Sequence, residues 1–307
     1  MLSYTLRRLL GAIPTLFLII TISFFIMRLT PGGPFDRERP IPPEIEKNLL
    51  AAYDLDKPLL VQYFKYMGDI LQGDFGPSFK IHDFSVAELL AVGLPASIKL
   101  GGLSLLLAVA IGIPLGSIAA LRQNSWIDYT VMGVGTTGIA VPNFVVAPLL
   151  QLTLGVYLGL LPVATWGGGS IRNLVMPMIA LALPQIAFIA RMMRGSMVEV
   201  LRSNYIRTAR AKGLTERVVL SRHAVKAALL PVVSYLGPAA AGLMTGSVVI
   251  ETIFGIPGIG RYFITSALNR DYTMVMGVVI TYGAAIILFN LLVDLVYGLL
   301  DPKVRYD

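Results

Sequence analysis

The sequence predicts an all-α membrane protein with six transmembrane helices and a small helical extracytoplasmic insertion between the first and the second. Three observations carry this. Apolar residues make up 55% of the chain and charged residues only 14%, with a mean hydropathy of +0.73, whereas soluble domains carry roughly a quarter charged residues. Six windows meet the length of about 20 apolar residues that a bilayer crossing needs: residues 9–29, 100–121, 131–156, 173–193, 228–250 and 273–299. The connections between them divide by charge. The N-terminus, the 122–130 loop, the 191–226 loop and the tail hold 14 Lys and Arg, whereas the short opposite loops hold only Arg172, Arg261 and Arg270. An even number of crossings puts both termini on one side, and the basic excess marks that side as cytoplasmic.

Taken in order, Arg7 and Arg8 precede an apolar run from Leu9 to Leu29 that exceeds a signal-peptide core and has no small-residue cleavage site, so residues 1–29 read as a retained first helix. The stretch from Thr30 to Lys99 is different, with ten acids and seven bases, and residues 30–96 form the extracytoplasmic helical domain. Pro31-Gly-Gly-Pro34 breaks the chain as it leaves the membrane. Pro42-Pro43 followed by Glu44, Ile45, Glu46 and Leu49 starts a helix with acids in its first turn. Leu60, Phe64, Met67 and Leu71 share one face of a second amphipathic helix that ends at Gly73. Ser85 and Glu88 have the spacing of a capping box for a third, leading into the second span. Residues 97–299 then form a five-helix core with a long basic loop at 191–226, and residues 300–307 a cytoplasmic tail.

Several spans carry small residues and prolines: Gly112 and Gly116 around Pro114, Gly133, Gly135 and Gly138 before Pro142, and Gly242 with Gly246. Small residues let backbones approach closely in lipid; alternatively, Pro142 and Pro148 bend a helix lining a pathway. Ionisable residues in or near spans are sparse. Arg28 and Lys99 sit at span ends, where their stems can carry the charge to the interface, and Asn290 and Asp294 in the last span read as structural, by hydrogen bonding or by pairing with basic loop residues.

The basic loop is the most informative connection. From Arg191 to Lys226 it holds nine Lys or Arg and two acids, Glu199 and Glu216. Val198, Leu201, Tyr205 and Ala209 recur at helical spacing as an apolar stripe, with Arg202, Arg207 and Arg210 on other faces. Gly213 falls where a left-handed residue would turn the chain into a second short helix. A helix, a glycine corner and a basic helix between two spans make a docking surface for a soluble partner. After the fifth span, Glu251-Thr-Ile-Phe-Gly-Ile-Pro-Gly-Ile-Gly-Arg261 is too rich in Gly and Pro to continue the helix and too apolar for a solvated loop. It is expected to fold back against the membrane domain.

Much chemistry is excluded. The chain has no cysteine, and its two histidines, His82 and His223, lie in different loops, so no metal centre or thiol nucleophile is expected. It contains neither a phosphate-binding Gly-x-x-x-x-Gly-Lys-Ser/Thr loop nor a Gly-x-Ser-x-Gly elbow, so the chain is not expected to be catalytic by itself. A secondary transporter would also be polytopic and rich in Gly and Pro, but should show inverted repeats and midplane carboxylates. Neither is evident in this sequence.

Tyr205-Ile-Arg207-Thr208-Ala209-Arg210-Ala211-Lys212-Gly213, followed by Arg222-His223-Ala224 and Ala228-Leu-Leu-Pro231, resembles the signature loop of ABC-importer permeases of the peptide and nickel class. The general importer pattern has Glu-Ala-Ala where this chain has Arg207-Thr208-Ala209, a departure usual in the peptide subclass. The resemblance extends to Leu6-Arg-Arg8, Gly73-Asp-Phe-Gly76 with Ser78, the outer segment marked by Glu251, Phe254, Gly255, Pro257, Gly258 and Gly260, and Asn290, Asp294 and Asp301-Pro302-Lys303. The chain looks like the B-type membrane subunit of an oligopeptide ABC importer; dipeptide, glutathione and nickel permeases share these motifs. The resemblance implies a type I importer fold in the bacterial inner membrane and alternating access to a path shared with a related second permease subunit. It further implies two ATPase subunits that use ATP and Mg, and an extracytoplasmic peptide-binding protein. Lipid is the remaining partner; no nucleic acid and no cofactor bound by this chain are expected. Tyr205 to Gly213 with Arg222 and His223 would be the ATPase-coupling loop, and Glu251 to Gly260 an outer loop near the pathway.

Overall fold

A computed structural model describes residues 2–30, 42–81, 83–244 and 247–300. Pro31-Gly-Gly-Pro34, His82, Gly246 and Asp301-Pro302-Lys303 lie outside the described residues, as do the side chains of Leu6-Arg7-Arg8, Ile45, Glu46 and Leu49. Among the described residues the structure is helical, apart from an isolated antiparallel bridge between Pro77 and Ser85. In chain order the helices are α1 (Leu2–Leu29), α2 (Pro43–Ala52), α3 (Leu59–Leu71), α4 (Val86–Leu121), α5 (Trp126–Ala140), α6 (Asn143–Leu150), α7 (Ile171–Leu201), α8 (Asn204–Ala211), α9 (Glu216–Val218), α10 (Val225–Met244), α11 (Val248–Ile253), α12 (Ile259–Leu268) and α13 (Tyr272–Leu300).

Among the described residues five helical stretches are long and apolar enough to cross a bilayer, or six when the bent pair Trp126–Ala140 and Asn143–Tyr157, which meet at 98°, is counted as one span. The apolar window at 131–156 is therefore two helices. Val141 is extended (φ −82°, ψ 117°), the conformation a residue before proline prefers, and Pro142 opens α6. Pro148 sits within α6 without breaking it, and beyond it the chain widens into π-type turns over Gln151–Tyr157. The bent pair joins the same two ends of the bundle as α7. At one end, Asp128 in the first turn of α5 pairs with Arg194 near the end of α7. At the other, Arg172 at the start of α7 donates to the Leu160 carbonyl (3.2 Å) and Lys99 to the Gly169 carbonyl (2.7 Å). The end carrying the 122–130 and 191–226 loops is called the basic end below.

The long helices pack backbone to backbone where glycine allows it. A Cβ on Gly116 would lie 2.4 Å from the Ala190 carbonyl oxygen of α7, and one on Gly101 2.3 Å from that of Leu243 in α10. Gly133 and Gly242 touch nothing in this way, and Gly135 and Gly138 only reach ordinary contact with α7, so small residues in α5 open an apolar cavity beside Leu183 and Ala187 rather than a close contact. In the last span, Asn290 packs against Gly237 of α10.

Helix α4 runs unbroken from Val86 to Leu121, with Pro95 and Pro114 inside it. Its start is fixed by the capping box: Ser85 Oγ accepts from Glu88 N–H (3.2 Å), and Glu88 Oε2 accepts from Ser85 N–H (2.8 Å). The division expected at residue 96 falls inside this helix, so the outer layer and the core share it. A second tie is Asp271, fully buried, which accepts from Ser78 Oγ, Phe79 N–H (3.1 Å), Thr273 Oγ1 (3.0 Å) and Met274 N–H (3.2 Å). It caps α13 and holds the segment after α3 against it.

Candidate functional site

Two corners concentrate the residues singled out by the sequence. At the basic end α7 ends at Leu201, and Ser203 starts α8 in a new direction. The break resets the helical register, which corrects the stripe drawn through Val198, Leu201, Tyr205 and Ala209. Ile206 and Ala209 are the buried positions of α8, while Tyr205 is 48% exposed. Ile206 and Ala209 join a core cluster with Met197, Val219 and Ala224, so α8 rests on the ends of both neighbouring spans. Its outer surface carries Tyr205, Arg207, Thr208, Arg210, Ala211 and Lys212, all exposed.

The turn after α8 is a Schellman motif. Gly213 has φ +79°, its N–H donates to the Arg210 carbonyl (2.9 Å), and Leu214 N–H donates to the Ala209 carbonyl (3.4 Å). Nothing lies within 4 Å of where a Cβ would stand on Gly213; the backbone angle alone requires glycine there. Across the corner, Arg210 grips Glu216 through two contacts (3.1 and 2.5 Å). Arg222 and His223 are exposed on the π-type turns that lead into α10.

Behind this surface lies a pair that sequence reasoning missed. Arg194 donates through Nε and Nη2 to the two oxygens of Asp128, both at 2.6 Å. Asp128 is almost wholly buried and also accepts from Asn124 N–H (2.9 Å). The two residues are 66 positions apart, and no local pattern joins them. The one local signal the sequence holds is an acid three residues after Ser125, the spacing of a helix start, and it says nothing of Arg194.

At the opposite end the Glu251 segment corrects its sequence reading in one respect. Glu251 lies within a helix, α11, and the irregular stretch begins at Phe254. Its corner repeats the first one: Gly255 has φ +64°, its N–H donates to the Thr252 carbonyl (3.3 Å), and Ile256 N–H to the Glu251 carbonyl (2.8 Å). Here the corner is interior. Phe254, Ile256 and Ile259 are buried, with Phe254 and Ile256 in a cluster with Leu100, Leu174 and Met176.

The Glu251 carboxylate is fully buried and is held by the start of α12. Oε1 accepts from Ser97 Oγ (2.7 Å), Oε2 accepts from Arg261 N–H (3.3 Å), and Ser97 Oγ in turn accepts from Ile259 N–H (3.0 Å). An acid at a helix N-terminus complements both the orphan N–H groups and the helix dipole. A Cβ on Gly258 would lie 2.3 Å from this carboxyl and one on Gly260 2.9 Å from Oε2, so these glycines admit the carboxylate to the backbone. Pro257 lies between the Gly255 corner and Gly258, which precedes α12. Ser97, on α4, was not anticipated from sequence.

Among the described residues no group of three or more His, Asp or Glu could hold a metal ion. Both corners are structural junctions in which polar atoms are used to fix helix ends.

The family described as binding-protein-dependent transport system inner membrane component matches residues 112–306, and its N-terminal companion, described as the membrane component's N-terminal part, matches residues 1–85. The chain is 56% identical over 306 residues, with 100% coverage of each chain, to the oligopeptide transport system permease protein OppB of Salmonella typhimurium, and equally to that of Escherichia coli strain K12. It is 45% identical to the dipeptide transport system permease protein DppB of Bacillus subtilis, over 98% of this chain and 97% of the other. Among solved structures, a chain of the MetNI methionine ABC transporter in an inward-facing conformation superposes with a TM-score of 0.59 at 17% identity, covering 69% of this chain and 96% of that one. That likeness is one of fold.

Proposed function

The chain belongs to the family of binding-protein-dependent transport system inner membrane components, and from that premise we propose that it is the permease subunit of an ABC importer for oligopeptides. The observation that carries this reading is the 56% identity over the full length of two oligopeptide permeases, against 45% and 41% for two dipeptide permeases. As such a subunit it is not an enzyme itself and works with other ABC transporter subunits. We assign these as a related second permease, two ATPase subunits that bind ATP and Mg, and a soluble peptide-binding protein on the far side. The basic end faces the cytoplasm, with both termini there, on the charge asymmetry.

In this reading α8 is the part the ATPase grips. Its exposed face offers Arg207, Arg210 and Lys212, while Ile206 and Ala209 root it on the ends of α7 and α10, so a push on α8 moves two spans together. The Arg194–Asp128 pair extends that movement to α5. At the far end the Glu251 lock fixes α11 and α12 to α4, forming a rigid outer rim near the pathway. ATP-driven closure of the partner subunits would then be passed on as rigid-body motion rather than local deformation.

The test is complementation. In a bacterium lacking its own oligopeptide permease subunit of this type, the chain, expressed with its own partner subunits, should restore growth on tri- to pentapeptides as the sole source of a required amino acid. Restored growth on dipeptides alone would reassign the substrate, and growth on neither would overturn the reading.

A further inference from the structure

Helix α3 carries an apolar face that the protein covers only at Met67, which packs beside Phe24, Tyr63 and Met276. Leu60, Phe64 and Leu71 are 62, 68 and 84% exposed. At about 100° per residue they lie on the side of the helix opposite Gln62, Lys65 and Asp69. A third side, at Tyr63 and Tyr66, packs on α1. Tyr63 stacks on Phe25 with ring centroids 5.4 Å apart, meets Phe24 edge-on at 5.4 Å, and bonds through its hydroxyl to Thr21 Oγ1 (2.8 Å).

These contacts fix the height of α3. Thr21 lies seven residues before Arg28, the first charge after the apolar run, which is about 10 Å along a helix, and Phe24 and Phe25 lie about one turn before it. The α3 helix thus sits beside the outer part of a transmembrane helix, not above it. Its polar side looks the other way: Gln62, Lys65 and Asp69 line a cavity of about 160 Å³ together with Arg28, Tyr53 and Asp54, and Lys65 pairs with Asp54. The apolar side therefore points toward the membrane interior. Phe25, on which α3 stacks, belongs to the α1 stripe of Leu18, Ile22 and Leu29, all three exposed, so the free face of α3 continues a surface that already meets lipid.

We propose that α3 lies in the plane of the membrane, in the leaflet opposite the basic loops, with Leu60, Phe64 and Leu71 inserted among the acyl chains. A helix with one apolar side, one polar side and few charges, its apolar face reaching about 5–10 Å into the boundary between headgroups and acyl chains, is the interfacial type. The insertion between the first two spans is then anchored in lipid instead of standing free in solvent.

Because the chain has no cysteine, spin labels can be placed one at a time. Leu60→Cys, Phe64→Cys and Leu71→Cys, with Lys57→Cys as the solvent reference, are labelled in the assembled complex in liposomes, and signal from the unsubstituted complex is subtracted. The expected result is collision with oxygen well above that with a water-soluble nickel chelate at 60, 64 and 71, and nickel access several-fold lower than at 57. Nickel access equal to that at 57 would put the face in water. Low access to both reagents would put it under a partner subunit, and either outcome overturns the proposal.

Discussion

The two corners share one backbone and differ in everything around it. Gly213 and Gly255 both close a helix with the paired hydrogen bonds of the Schellman motif, yet the first is open to its surroundings while the second is packed among Phe254, Ile256 and Ile259. At the first, the side chain that crosses the corner is an exposed arginine paired with an exposed glutamate, an arrangement worth little in stability. At the second it is a buried carboxylate satisfied by a serine and by the next helix, where removal leaves donors without acceptors. The same local device thus serves as a replaceable mount in one place and as part of the core in the other.

Glu251→Ala should produce the largest effect. It orphans Ser97 Oγ and Arg261 N–H in a buried site, at about 1–3 kcal/mol for each donor left unsatisfied, and should lower the unfolding temperature of the purified complex sharply. Glu251→Gln, which keeps an acceptor oxygen, should lose less. Equal stability of all three would show that this corner is no more integral than the other.

Arg194→Ala should follow, because it strands the buried Asp128 carboxylate; breaking such a pair costs about 3 kcal/mol or more. Adding Asp128→Ala should recover part of the loss, giving a coupling term in a double-mutant cycle. Strict additivity would mean that the pair does not brace the basic end.

Gly213→Val should cost about 1–2 kcal/mol locally, since a β-branched residue resists positive φ, and should leave membrane insertion intact while reducing peptide uptake and binding-protein-stimulated ATP hydrolysis. Asparagine tolerates the left-handed region, so Gly213→Asn should restore most of that activity. If valine transports as well as glycine does, α8 is not the element being gripped.

The smallest effect concerns the outer layer. Lys57 and Lys65 bond to Asp54 and hold its carboxyl down at about 2, below an unfolded value near 3.9. A depressed carboxyl contributes above the unfolded value and loses its contribution as the pH falls through the folded one. Stability should therefore show no Asp54 dependence from pH 8 to 5, and Asp54→Asn should flatten only a slight fall between about pH 4 and 2. Asp54 is on the surface, so no change in uptake is expected.

Much of this was legible in the sequence because its cause is local. Hydropathy located the spans, Pro142 marked the point where the third window bends, Ser85 with Glu88 announced the start of α4, and a glycine after a basic helix signalled the Gly213 corner. What was missed depends on residues brought together from afar. Ser97 and Glu251 are 154 positions apart, and Ser78 and Asp271 are 193 apart; an isolated acid in a sequence gives no hint of its donors. The α8 register failed for a related reason. Periodicity carried through Arg202 assumes one helix, and the reorientation at Ser203 that buries Ile206 in place of Tyr205 depends on the neighbours α8 meets.

The length of α4 has a mechanical consequence. The helix packs tightly on α7 at Gly112 and Gly116, about 10 Å from its end at Leu121 and about 40 Å from its start at Val86, at 1.5 Å per residue. A rigid tilt about that contact would have unequal arms, so that a shift of 1 Å at the basic end would become about 4 Å at Ser85. The backbone contact of Gly101 with Leu243 and the bond from Ser97 to Glu251 tie α10, α11 and α12 to the long arm, so a tilt of α4 would carry the outer rim with it.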